Sequence, residues 1–231
     1  MPAITGFTGL HNSGKTTVAR RVIEKLRSMG YRIAVLKSTS HEGIEKEMDK
    51  PGSDTALYRD DGIEAVGIID SRSLVLFQDH NMMPVTELAQ RLFHDFDLVV
   101  LEGFKQVAGV PRIEVVGKSS PEGPLYRKNK GIEAVVSDEK ITDLLPGQVW
   151  FQTGQTNDIA LFIEKTYIEP SIHSDLRLYV NGKPVDATRF VTSALTGTIT
   201  GFLTSLRGTE GAEQVDISFR LSRPDNREKR Q

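Results

Sequence analysis

Nine residues near the amino end, Gly9-Leu10-His11-Asn12-Ser13-Gly14-Lys15-Thr16-Thr17, have the types and spacing of a site for nucleotide phosphates. They fit G-x-x-x-x-G-K-[ST] without a mismatch. The glycines let the backbone turn until successive N–H groups point inward at phosphate oxygens, and a following helix adds its positive N-terminal end. His11 acts in such a loop through its backbone more than its ring. Lys15 can reach the β- and γ-phosphates, and the Thr16 hydroxyl can ligate Mg²⁺.

A phosphate loop also needs an acid at the end of a second strand to organise the magnesium. The run "DLVVLEGFK" supplies Glu102 directly after four apolar residues. A carboxylate at the C-terminal end of a buried strand faces the ligand crevice, although such an acid can also cap the next turn. Asp97, at the strand's entry, reads as structural.

Asp49 and Asp54 flank a Lys-Pro-Gly-Ser turn in "EMDKPGSDTALYRDDG". One reading is a solvated turn with Ser53 capping a helix. The other is a mobile loop that carries an acid towards the γ-phosphate. Lys37 and His41 follow the second strand, at the ligand edge, where both can touch phosphate or substrate. Ser137 and Asp138 end the run "AVVSD", where Asp138 can accept from the guanine N1–H and 2-amino group; a plain polar strand end fits equally well. The remaining histidines form no metal-ligand spacing.

The elements that must position these residues come from periodicity. "AITGF" reads as a short buried strand, residues 16–29 as a helix with Val18, Val22, Ile23 and Leu26 on one face, and "RIAVLK" as a second strand. That strand–helix–strand order predicts a parallel sheet. Further strands are expected at 64–70, 73–78, 97–103, 112–117, 132–138 and 148–153, and helices at 53–61, 85–94 and 157–167. The expected fold is α/β, a P-loop NTPase with a mostly parallel sheet flanked by helices over residues 1–168. After residue 168 the rhythm changes. Asn181-Gly182 predicts a hairpin, and Phe190, Ala194, Leu195, Ile199, Phe202 and Leu203 recur at helical spacing. Residues 173–222 are therefore expected to form a small β-β-α-β appendage, near the lower size limit for independent folding. Residues 223–231 should fray.

Composition bounds the function. The 231 residues carry 29 basic and 31 acidic side chains, so no global field points to nucleic acid or an anionic membrane. Cysteine is absent, which excludes disulfides, thiolate metal sites and a cysteine nucleophile. A metal-insertion GTPase would need a cluster of soft ligands that this chain lacks. Without a basic n-region before an apolar run, or a long apolar stretch, the expectation is a soluble, cytoplasmic protein.

Taken in order, residues 9–17, "DKPGSDT" at 49–55, Gly62, "DLVVLEGFK" at 97–105 and "AVVSD" at 134–138 resemble the molybdopterin-guanine dinucleotide biosynthesis protein B (MobB) family over residues 1–165. The resemblance implies a homodimeric P-loop GTPase of slow turnover, an accessory to the nucleotidyltransferase that joins GMP to molybdopterin. It implies GTP and Mg²⁺ as cofactors, with residues 9–17 on the phosphates and Asp49, Asp54 and Glu102 near magnesium and the γ-phosphate. Molybdopterin is a further candidate ligand. Ser38 and Ser40 replace two histidines of the family's Lys-His-x-His-His run, a departure at Lys37 to His41. The rival reading is a P-loop small-molecule kinase, for which Arg59 or Arg127 with Lys128 would supply a lid.

Overall fold

In the computed structural model the described residues are 2–39, 43–80, 82–105, 107–117, 123–172, 176, 178–180, 183–185, 187–209, 215 and 217. The chain divides into two compact units, Met1–Val185 and Asp186–Gln231.

In the first unit, β1 (Ala3–Thr8) runs into the glycine loop and then α1 (Lys15–Ser28). α1 is helical because Val18, Ala19, Val22 and Leu26 recur on one face, and all four are buried. It stops at Gly30, whose φ of 99° lies in the left-handed region. There Tyr31 N–H donates to Leu26 O, the six-to-one bond that closes a Schellman turn. Lys25 and Arg27 in the last turn complement the helix dipole.

β2 (Ile33–Lys37), α2 (Ile44–Met48), α3 (Asp54–Asp60), β3 (Ala65–Ile69), β4 (Leu74–Gln78) and α4 (Val85–Leu92) follow. Then come β5 (Leu98–Glu102), β6 (Arg112–Val115), β7 (Ile132–Ser137), β8 (Val149–Gln152) and α5 (Thr156–Ile163). Six strands form one sheet in the order β2-β5-β1-β6-β7-β8, and every pairing in it is parallel. β5 is buried at all five positions, as a near-continuous apolar run in a covered parallel sheet must be. On one face Phe7, Val100, Ile113 and Val136 pack with Val22 and Leu26 of α1 and Ile159 and Ile163 of α5. On the other, Ala34, Val99 and Leu101 meet Ala89 of α4. Each fully buried Leu, Ile or Phe there stabilises the fold by about 1.5–3 kcal/mol.

β3 and β4 stand apart as a two-stranded antiparallel hairpin. Only residues 70–73 join them, far too few for the crossover a parallel pair requires. Asp70 shapes that turn by accepting from the N–H groups of Arg72 and Ser73. After α5 the helix widens into a π-helical segment, Glu164–Ile168, and ends as α6 (Glu169–Ile172). Tyr31 donates to Glu164 at 2.7 Å, which ties the end of α1 to this segment. That bond and burial push the Tyr31 phenol up to about 12.

β9 (Leu178–Val180) pairs antiparallel with β10 (Lys183–Val185) across two residues that lie outside the described set. This hairpin groups with the first unit. In the second unit, α7 (Arg189–Leu203) begins at Thr188, whose side chain accepts from Val191 N–H. Most of the expected last strand and the whole of 223–231 lie outside the described residues. No helix among the described residues is long and apolar enough to cross a membrane.

Candidate functional site

The glycine loop leaves β1 at the C-terminal edge of the sheet. At Gly9 φ is 153°, and a Cβ there would lie 2.5 Å from Val115 O and 2.6 Å from Ser13 Oγ. Close approach to β6 therefore requires glycine. Asn12 (φ 57°) and Gly14 (φ 83°) carry the backbone through the left-handed region, and Ser13 N–H donates to Leu10 O at 3.3 Å. Ser13 Oγ is buried without a partner among the described residues.

Gly14 is the N-cap of α1, so no side chain caps the first turn, and that turn contains no acid. An uncapped helix start of this kind leaves several N–H groups to be satisfied from outside, in a field that favours an anion. Lys15 Nζ donates to Leu10 O at 3.3 Å, inside the loop. Thr16 Oγ1 donates to Glu102 Oε1 at 2.6 Å, and Lys37 Nζ lies 3.9 Å from the same oxygen. Thr16, Glu102 and Lys37 thus meet at one point, although they stand on α1, β5 and β2. Two hard oxygen donors in contact, on a helix start and a strand end, suit Mg²⁺, which keeps waters and phosphate oxygens in its remaining positions. The residues fit that ion.

The other candidates sit elsewhere. Asp49 accepts from Ser53 Oγ at 2.7 Å, Thr55 Oγ1 at 2.8 Å and Arg59 at 2.9 Å. The hydrogen bonds from Ser53 and Thr55, with Arg59 beside them, hold its carboxyl below the usual range. Arg59 in turn stacks over Phe77 of β4 at 4.7 Å from the ring centroid. The turn at 49–55 is thereby braced to the β3–β4 hairpin. Asp54 is exposed in the first turn of α3, and Ser53 Oγ caps that helix by accepting from Ala56 N–H. His41 lies outside the described residues.

Ser137 is buried, and its hydroxyl is engaged twice. It donates to Glu139 O at 2.5 Å and accepts from Trp150 Nε1–H at 2.8 Å. Asp138, next along the chain, is exposed at the same sheet edge.

Glu114 was not singled out by sequence reasoning. It is 1% exposed and accepts from Leu125 N–H at 2.7 Å and Tyr126 N–H at 2.6 Å. Burial pushes its carboxyl up, opposed by those two donors. Glu114 anchors the return of the β6–β7 connection, which departs past Ser13 at Gly117. The available signal was a charged residue inside the apolar run "RIEVV" of a central strand.

Residues 4–138 match the family profile described as "Molybdopterin guanine dinucleotide synthesis protein B". The chain is similar to the "Molybdopterin-guanine dinucleotide biosynthesis adapter protein" of Haemophilus influenzae, 31% identical over 112 residues. That match spans 48% of this chain and 61% of the relative, less than two thirds of its length. The "Putative molybdopterin-guanine dinucleotide biosynthesis adapter protein" of Methanocaldococcus jannaschii is 22% identical over 95% of this chain and 98% of its own. Among solved structures, a crystal structure titled molybdopterin-guanine biosynthesis protein B (mobB) superposes with a TM-score of 0.53 at 30% identity. It covers 70% of this chain and 97% of that one.

Proposed function

The chain belongs to the molybdopterin guanine dinucleotide synthesis protein B family, and from that premise we propose that it is a cytoplasmic, GTP-binding adapter in molybdopterin guanine dinucleotide biosynthesis. It holds GTP with Mg²⁺, hydrolyses it slowly, and serves a nucleotidyltransferase that acts on molybdopterin. The observation that carries this reading is the uncapped loop of Gly9 to Thr17 with the Thr16 hydroxyl on Glu102.

The N–H groups of residues 13–17 wrap the phosphates, and Lys15 exchanges Leu10 O for phosphate oxygens. Thr16 and Glu102 would hold Mg²⁺, and the ion would supply neutralisation of phosphate charge. Asp138 accepts from the guanine edge, while Ser137 only shapes the turn that presents it. Asp49 is held by three donors, which favours slow hydrolysis over activation of a second substrate. A kinase lid from the 49–60 segment is disfavoured, because Arg59 is held by Asp49 in a shielded pair. A homodimer would cover the exposed apolar side chains of the β3–β4 hairpin, of which Ile69 is 78% and Leu74 65% exposed.

Thermal unfolding with GTP, ATP and Mg²⁺ tests the assignment. GTP raises the midpoint in a magnesium-dependent way and ATP does not; Glu102→Gln removes the magnesium dependence. Stabilisation by ATP with indifference to GTP would sink the reading.

A further inference from the structure

We infer that Lys37 is the group by which the site distinguishes a nucleoside triphosphate from a diphosphate, an inference that rests on reading residues 9–17 as a phosphate loop. Phe7, Glu102 and Lys37 are register partners across β1, β5 and β2, so they form one row on one face of the sheet at its C-terminal edge. Phe7 in that row packs with α1, which makes it the face on which the phosphate loop opens. Lys37 therefore approaches from the β2 flank, while Lys15 belongs to the loop itself.

Distance supports the assignment. Thr16 Oγ1 and Lys37 Nζ lie 2.6 Å and 3.9 Å from the same carboxylate oxygen, so the ammonium is within the sum of those two distances of the Thr16 hydroxyl. A phosphate that extends past Thr16 towards Glu102 comes within the sweep of a four-carbon lysine stem. The Lys37 side chain is 68% exposed and that of Glu102 10%, so the ammonium is free to turn while the carboxylate is fixed. At 3.9 Å the pair is an ion pair without a hydrogen bond, weak and screened, and easily exchanged for a phosphate oxygen. Arg59, a cation of the neighbouring 49–60 segment, is held by Asp49 in a well-shielded pair and does not compete for this role.

The loop N–H groups and Lys15 approach the phosphates from the β1 side. Lys37 stands on β2, on the far side of β5 from β1, so the terminal phosphate of a longer chain is the one it is placed to meet. It reads the terminal phosphate as charge, and a diphosphate leaves it on Glu102.

Titration calorimetry of the full chain with GTP and GDP, each with Mg²⁺, tests this for wild type, Lys37→Gln and Lys37→Arg. Wild type is measured first; if it binds neither nucleotide, the phosphate-loop reading fails and this inference falls with it. With wild-type binding established, Lys37→Gln should weaken GTP by about tenfold, the effect of losing one charge-assisted contact. GDP should stay within about twofold, and Lys37→Arg should recover much of the GTP affinity by keeping the charge. An equal loss for GTP and GDP, or no loss for either, overturns the assignment. Unchanged unfolding midpoints of the free variants, expected at an exposed position, separate the effect from misfolding.

Discussion

Replacing Gly9 by alanine tests whether loop geometry, beyond composition, makes the phosphate site. The new Cβ would sit 2.5 Å from Val115 O and 2.6 Å from Ser13 Oγ, whereas ordinary contacts lie at about 3.5 Å. Val115 is 2% exposed and paired into β7, so the sheet does not yield. The loop must move instead, by something on the order of 1 Å. Overpacking of this kind costs about 1–3 kcal/mol, and left-handed backbone strain adds about 1–2 kcal/mol. For a chain of this size each 1 kcal/mol lowers the midpoint by about 2–4 °C. The expected fall is therefore roughly 5 °C or more. The same displacement breaks at least one N–H contact to a charged phosphate, worth about 1.5–3 kcal/mol, so GTP should bind at least about tenfold more weakly.

Gly14→Ala is the internal control. No atom lies within 4 Å of its added Cβ, so only the strain of φ 83° remains and the midpoint should fall less. Calorimetric GTP titration and thermal unfolding of both variants decide the matter. Wild-type stability and affinity in Gly9→Ala, or a larger loss of stability in Gly14→Ala, would refute the reasoning.

Two further predictions concern the acids. Hydrogen bonds from Ser53 and Thr55 lower the Asp49 carboxyl from an ordinary value of 3.8, so its ionised form stabilises the fold above that value. This contribution is lost as pH falls through the lowered folded value. Thermal unfolding of Asp49→Asn below pH about 4 should show a flatter acid limb than wild type; superimposable limbs would contradict the brace between the 49–55 turn and the hairpin. At the β7 edge, Asp138→Asn should narrow the preference for GTP over ATP. Ser137→Ala should cost about 1 kcal/mol of stability and shift the emission of Trp150, the one tryptophan, without changing that preference. Loss of preference in Ser137→Ala alone would reverse the roles.

The phosphate loop, the strand–helix–strand unit around it and Glu102 at a strand end were legible because each is a local pattern. A glycine spacing, a helical period and a carboxylate closing an apolar run all lie within fifteen residues. The commitments of hydroxyls were not. Ser137 accepts from Trp150 thirteen residues away, a contact made by the parallel pairing of β7 with β8 and without signature in spacing. Glu114 and Arg112 alternate with apolar neighbours as solvent-facing residues do, yet β6 is central and both are buried. Gly6 and Gly131 make the room for Arg112, since a Cβ on either would press on its side chain. Asp49 is the intermediate case. Its partners Ser53, Thr55 and Arg59 are close in sequence, but the same spacing serves a braced turn and a mobile loop alike.

The way the loop is braced also bears on the choice between holding a nucleotide and turning it over. Lys15 is bonded to Leu10 O, Thr16 to Glu102, and Lys37 lies beside the same carboxylate. Gly9 is wedged against β6, and Leu10 O accepts from Ser13 N–H. A loop braced in this way would lose little entropy on binding phosphates, and its contacts to them would be made in full in the ground state. Contacts made equally in the ground and transition states raise affinity without raising the rate. Speed would require a group that meets charge only as it develops, and Arg59, the cation nearest to that description in the 49–60 segment, is held by Asp49. A loop braced in this way suits holding a nucleotide more than turning it over, which is what the proposed adapter role would demand of it.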